Sequence, residues 1–178
     1  MNRKLKNDEL GRMSIEEYKT SPKTGITVVL DNIRSMHNIG SVFRSCDSFG
    51  IEKIILCGIC ATPPSPEIHK SALGAEFSVD WKYFKKTEDA VAGLKQAEYT
   101  IISVEQTEDS IMLDKMKLDG NKKYALVFGN EVFGVQQSII DMSDAVLEIP
   151  QFGTKHSLNI SVAAGIVLWE CCTFYKKM

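Results

Sequence analysis

The sequence predicts an α/β fold with a mostly parallel sheet and helices on both faces. The prediction rests on short β-branched runs that recur along the chain, amphipathic helical stretches that alternate with them, and Gly-, Pro- and Asn-bearing turns between the two. With 178 residues the chain fits a single domain. A chain of that size buries roughly 70% of its unfolded surface and needs no disulfide or metal staple.

Residues 1–25 read as a polar, basic extension, with Arg3, Lys4, Lys6 and Arg12 close together. Within it Ser14-Ile15-Glu16-Glu17 resembles a helix start and Ser21-Pro22-Lys23-Thr24-Gly25 a loop. The folded domain is expected over residues 26–178, opening with a β-branched strand at 26–30. A helix follows over 38–50, because Ile39, Val42, Phe43, Cys46 and Phe49 recur at helical spacing. Asn38 is its expected N-cap and Gly50 its stop. Further strands are expected at 53–57, 77–83, 99–104, 124–128 and 145–149. Between them lie helical stretches at 68–73, 87–97 and 135–141, with the last helix over 157–175. Residues 105–123 read as a polar connection with one short helical turn.

The net charge of -2 argues against a large nucleic-acid footprint but leaves room for a local one. No apolar run follows Arg3 and Lys4, so there is no signal-peptide pattern. The longest apolar stretch, 160–169, is too short for a bilayer. No membrane association and a cytoplasmic location are therefore expected. Five cysteines, an odd number, suit a reducing compartment.

Two turns near the C-terminus carry the functional signal. Gly129-Asn130-Glu131-Val132-Phe133-Gly134 follows a strand, and Ser157-Leu158-Asn159-Ile160-Ser161 opens the last helix. Asn38-Ile39-Gly40 with Arg44 has the same character upstream. Small and amide-bearing residues at such turns let backbone approach a small molecule. Arg44 lies off the apolar stripe of its helix, and Gly40 one turn earlier reads as open space beside it. Its two readings are an anion-binding or catalytic arginine and a solvated surface arginine.

Several site classes fail on residue type. Gly129 and Gly134 have P-loop spacing, but Val135 and Gln136 stand where Lys and Ser/Thr belong, and Glu131 would repel phosphate. That leaves a cationic or neutral ligand, or an ordinary strand-to-helix turn. No strand–helix junction carries the dinucleotide glycine fingerprint. Cys57-Gly58-Ile59-Cys60 could be a redox pair, but Ala61-Thr62-Pro63-Pro64 does not start a helix promptly. His37, His69 and His156 show no metal-ligand spacing with the cysteines, so no metal is expected. His156 beside Ser157 lacks a nucleophile elbow.

In order, Leu30-Asp31-Asn32-Ile33-Arg34 through Asn38-Ile39-Gly40-Ser41-Val42-Phe43-Arg44, then Leu126-Val127-Phe128-Gly129-Asn130-Glu131 with Gly134, then Ile149-Pro150 with Gly153 and Ser157-Leu158-Asn159-Ile160-Ser161-Val162-Ala163, resemble the motifs of the SpoU/TrmH branch of the SPOUT RNA methyltransferases. Lys70-Ser71-Ala72-Leu73-Gly74-Ala75 adds to the resemblance, which spans about residues 26–175.

The resemblance implies a C-terminal trefoil knot and a homodimer. It also implies S-adenosylmethionine as methyl donor, S-adenosylhomocysteine as product, and a ribose 2′-hydroxyl of tRNA or rRNA as acceptor. By motif position Gly129, Asn130, Ile149, Gln151, Leu158 and Asn159 would bind the cofactor, together with Val104 and Glu105 from the loop after the 99–104 strand. Arg44, Asn38, Glu131, Ser157 and Asn159 would form the catalytic set. Arg44 would pin an RNA phosphate and stabilise alkoxide charge, since a guanidinium with a pKa above about 12 is a poor base. Ile149 and Leu158 would supply apolar walls, which suit a sulfonium that loses its charge as the methyl leaves.

No separate N-terminal RNA-binding domain of the kind many members carry is evident, which favours tRNA over rRNA among compact members. The rival classes are a non-catalytic RNA-binding or assembly factor on the same fold and a redox protein using Cys57 and Cys60.

Overall fold

The computed structural model describes residues 2–175. Residues 176–178 of the expected domain, and Met1 of the extension, lie outside the described residues.

The seven strands among the described residues are all parallel and form one sheet in the order β3-β2-β1-β6-β4-β7-β5. They are β1 Ile26–Asp31, β2 Lys53–Cys57, β3 Asp80–Phe84, β4 Tyr99–Val104, β5 Ile111–Met112, β6 Lys123–Phe128 and β7 Ala145–Glu148. The helices are α1 Ile15–Thr20, α2 Met36–Phe49, α3 Pro66–Ala72, α4 Ala75–Ser78, α5 Thr87–Gln96, α6 Gln137–Met142 and α7 Ile160–Tyr175.

The near-continuous apolar strands are explained by burial on both faces. Val28, Leu30, Ile54, Leu56, Leu126 and Phe128 point to a core shared with α2, α3 and α7. Val29, Ile55, Ile101, Ala125 and Val127 point the other way, against α5 and α6. One residue of register separates the two sets, as a period of two requires.

Several sequence expectations change. The strand expected at 77–83 is instead α4 followed by β3 at Asp80–Phe84. Gly74, at φ 95, turns the chain into α4, and the Ser78 hydroxyl donates to Asp47 at 2.5 Å, which anchors that turn to α2. Helix α2 starts earlier than expected, because Ser35 is the N-cap and accepts from the Asn38 N–H at 3.3 Å. Asn38 therefore lies inside the first turn with its side chain released for other partners. The polar connection hides the short strand β5, which pairs with β7. Helix α7 begins at Ile160, because the Asn159 side-chain oxygen accepts from the Ser161 N–H at 2.9 Å and caps it.

Gly40 does not leave open space. A Cβ there would stand 2.2 Å from the Ser71 hydroxyl oxygen and 2.3 Å from the Ile68 carbonyl oxygen. Gly40 is thus the point where α2 and α3 touch, and it holds Arg44 on a helix that is fixed from below.

Candidate active site

The site lies along the carboxyl ends of the central strands, where open parallel sheets bind ligands. Register sets the levels: Phe128 of β6 pairs with Val104 of β4, and Val104 pairs with Leu147 of β7. Gly129, Glu105 and Ile149 therefore leave the sheet side by side, within about 10 Å across three strands.

Asp31, at the end of β1, is a fully buried carboxylate that the sequence alone did not single out. It accepts from the Thr87 hydroxyl at 2.6 Å, the Gln136 amide side chain at 2.8 Å, the Gln136 N–H at 3.0 Å and the Asn32 side chain at 2.9 Å. Four donors compensate its burial. They also clamp β1, α5 and the approach to α6 together beneath the 129–134 loop.

That loop is built from within. The Asn130 and Gly134 backbones pair in both directions at 2.9 Å. The Asn130 side-chain oxygen accepts from the N–H groups of Val132 and Phe133, and its amide donates to the Asn32 carbonyl at 2.7 Å. The Glu105 carboxylate accepts from the Val135 N–H at 2.9 Å and the Gln106 N–H at 2.8 Å. The Asn130 and Glu105 side chains are thus engaged in shaping the loops.

Glu131 joins distant parts of the chain. Its carboxylate accepts from the N–H groups of Arg34 at 2.9 Å and Ser35 at 3.0 Å, and from the Asn38 amide at 3.0 Å. The Asn38 side-chain oxygen in turn accepts from the Asn159 amide at 3.2 Å. Three of the expected catalytic residues, Glu131, Asn38 and Asn159, therefore stand in one chain of hydrogen bonds. Partial burial pushes the Glu131 pKa up, but the donors from Arg34, Ser35 and Asn38 outweigh it and hold the carboxyl below its usual 4.5.

A depressed folded-state value means that Glu131 contributes fully above its unfolded pKa. The contribution is lost as the pH falls through the lower folded value. Glu131→Gln is therefore expected to cost about 1 kcal/mol near neutral pH, after allowance for solvent screening. The difference from wild type should shrink on acidification, and urea titrations of both proteins from about pH 7 down to about pH 3 check it.

The other expected residues fall outside this chain. Ser157 is exposed and makes no hydrogen bond among the described residues. Arg44 is exposed, and its guanidinium has no partner among the described residues. It lies six residues after Asn38 on α2, roughly 9 Å along the axis. There it lines a broad groove of about 1100 Å3 with Arg12, Asp47 and Ser48. Neither this groove nor the concavity beside Arg34 described below is lined by Gly129, Ile149 or Leu158.

The segment 150–158 is where a cofactor fits the residues present. Among the described residues, the one peptide group of this segment with an internal partner is the His156 carbonyl, which accepts from the Gln106 side chain at 2.8 Å. Its other peptide groups remain open to solvent or a ligand. Val104, Ile149 and Gln151 are half-buried, and Leu158 is 39% exposed. Open backbone donors and acceptors next to partly uncovered apolar side chains match the composition of a small-molecule site.

The Cys57–Cys60 pair does not present a reactive thiolate. Burial pushes the two thiols up to about 12 and about 11. Cys60 donates to the Leu30 carbonyl and accepts from the Ile33 N–H, so it stabilises the turn after β1. Among the described residues no cluster of His, Cys, Asp and Glu is disposed to hold a metal ion. No helix among them is long and apolar enough to cross a membrane.

Comparison with known proteins places this geometry. A tRNA (guanosine(18)-2′-O)-methyltransferase of Thermus thermophilus is 29% identical over 91% of this chain and 81% of its own length. The Aquifex aeolicus TrmH/SpoU tRNA modifying enzyme shares the fold, with a TM-score of 0.81, 24% identity, and coverage of 92% of this chain and 81% of that one. An AdoMet-bound rRNA methyltransferase from Sinorhizobium meliloti has a TM-score of 0.77 and 27% identity, covering 89% of this chain and 60% of that one. The SpoU rRNA Methylase family model matches residues 25–169, which is most of the sequence, and the chain therefore belongs to the SpoU rRNA methylase family.

Proposed function

We propose that this protein transfers a methyl group from S-adenosylmethionine to a ribose 2′-hydroxyl of RNA. The observation that carries the reading is the hydrogen-bond chain from Glu131 through Asn38 to Asn159, which gathers all three family motifs at the carboxyl ends of the strands. The AdoMet-bound relative supports the choice of cofactor.

When bound, S-adenosylmethionine supplies an electrophilic methyl group on a sulfonium. Ile149, Leu158 and Val104 provide apolar walls, and the open peptide groups of 150–158 provide polar contacts. Gly129 keeps the floor of the loop free of side chain, and Gln151 lies in the same segment. Glu131 locks Asn38, and Asn38 fixes Asn159 at the start of α7. That rigidity positions the acceptor ribose, and positioning carries much of the rate in an in-line displacement. Arg44 holds an RNA phosphate and stabilises negative charge on the acceptor oxygen. Ser157, within the cofactor segment, shapes the place where cofactor and acceptor ribose meet.

The same reading extends to architecture. Residues 26–178 form the methyltransferase domain and 1–25 its basic extension. A trefoil knot in the C-terminal part accords with a sheet order that inserts β6 between β1 and β4, and β7 between β4 and β5. A homodimer accords with the exposed apolar stripe Val162, Ile166 and Trp169 on α7, which a second copy would cover. The tRNA enzyme of Thermus thermophilus supports tRNA as the favoured substrate. Five free, buried cysteines accord with a reducing, cytoplasmic setting.

Calorimetry tests the cofactor assignment. Both S-adenosylmethionine and S-adenosylhomocysteine are expected to bind, and heat from neither would exclude the methyl-donor site.

A further inference from the structure

A second concavity is bordered by the 129–134 loop. It measures about 530 Å3 and is lined by Asn32, Arg34, Ile59, Asn130, Phe133, Gly134 and Gln136. Phe133 is 85% exposed and Ile59 62% exposed, so both present bare apolar surface. Of the four arginines, Arg3 is the one that is ion-paired among the described residues, to Glu9. The Arg34 guanidinium has no hydrogen bond or ion pair there, because only its backbone N–H is engaged, by Glu131.

The floor is rigid and largely satisfied. Asn32 accepts from the Ile59 N–H at 3.2 Å, and both the Asn32 and Gln136 amides donate to Asp31. The Asn130 amide, also in the lining, donates to the Asn32 carbonyl. Few hydrogen-bonding groups are left to read a ligand's edge. What the concavity offers is an aromatic face, an aliphatic wall and one guanidinium whose donors are unengaged among the described residues. A planar group carrying an anion meets all three, and a nucleotide is such a group.

The position favours RNA as the source. Glu131 holds the Arg34 backbone with one carboxylate oxygen and Asn38 with the other, so it ties the concavity's Arg34 to the proposed ribose site. Away from the site, the Tyr83 hydroxyl donates to the Gly58 carbonyl at 2.8 Å, and Lys85 and Lys86 follow after Phe84. Glu88 lies close to Lys86, and it accepts from the Ser138 hydroxyl at 2.8 Å.

We propose that this concavity takes an unpaired base of the RNA substrate, stacked on the Phe133 ring, with its phosphate on Arg34. The site rests on the RNA-methyltransferase reading above. It selects for a single-stranded segment beside the methylated ribose more than for one base over another, since stacking tolerates every base.

The test uses the full chain and an unmodified tRNA transcript as methyl acceptor. Phe133→Ala is expected to raise the KM for the transcript about tenfold, with a much smaller change in kcat, and Phe133→Trp to restore it to within about twofold. Arg34→Ala, which keeps the backbone bond to Glu131, is expected to lower the salt slope of RNA binding by about one. A Phe133→Ala KM within about twofold of wild type overturns the proposal. If wild type methylates no RNA, the broader reading has failed separately. The subsite is then decided by photo-cross-linking to a single-stranded oligonucleotide containing 4-thiouridine. Cross-links on the Phe133 or Ile59 peptides support it, and cross-links confined to other surfaces overturn it.

Discussion

Arg44→Ala is expected to lower the rate of RNA methylation about 10²- to 10³-fold while changing S-adenosylmethionine affinity by less than about twofold. The asymmetry follows from placement. Arg44 stands on α2, whose Ile39, Val42, Phe43 and Cys46 are fully buried, so the guanidinium is presented from a fixed backbone. Gly40, pressed against α3, fixes it further. No internal partner among the described residues competes for the guanidinium, which leaves its donors for phosphate and a developing alkoxide. The proposed cofactor segment 150–158 is on a different part of the chain and loses nothing when the side chain is truncated. Arg44→Lys should recover only part of the rate, because an ammonium lacks the planar fork. Single-turnover methylation assays alongside calorimetry separate the two effects. Equal losses in both would move Arg44 from the chemistry to the cofactor site.

Gly129→Ala is expected to destabilise the fold by about 1–3 kcal/mol and to weaken S-adenosylmethionine binding at least about tenfold. A Cβ at Gly129 would sit 2.1 Å from the Gly134 carbonyl carbon and 2.1 Å from the Val135 nitrogen. Both are backbone atoms, and the loop they belong to is tied to Glu105 and Asn130. It cannot yield without breaking those bonds. Gly93→Ala is the contrast, since a Cβ there meets nothing within 4 Å and the position is inside α5. That change should stabilise the protein by about 0.5–1 kcal/mol. Urea unfolding of the two variants gives opposite signs if the loop is as rigid as its hydrogen bonds indicate.

The strands with continuous β-branched residues were legible from sequence alone. Lys53–Cys57 and Tyr99–Val104 stand where they were expected, because burial on both faces demands unbroken apolar runs. The Phe77 region was not legible. Its residues have strand propensity, but Gly74 and the Ser78–Asp47 bond override it. Local pattern also misread Asn38 as a cap. Ser35 is an equally good cap, and only the distant Glu131 reveals why Asn38 is released.

The candidate site shows the same division. Its motifs could be read from residue types and spacing. The pairing of Glu131 with Asn38, 93 residues apart, could not. Nor could the burial of Asp31, whose partners Thr87 and Gln136 are 56 and 105 residues away. Nor could the bracing by Asn130, whose side-chain oxygen accepts from the Val132 and Phe133 N–H groups and whose amide donates to the Asn32 carbonyl 98 residues away.

Incubation of the purified protein with unmodified RNA and methyl-labelled S-adenosylmethionine, followed by digestion to nucleosides, tests ribose methylation most directly. The label is expected in a 2′-O-methylnucleoside, and its initial rate of appearance to fall about 10²- to 10³-fold with Arg44→Ala. Label on a base, or no transfer to tRNA or rRNA by a protein that binds the cofactor, would contradict a ribose methyltransferase centred on Arg44 and the Glu131–Asn38–Asn159 chain.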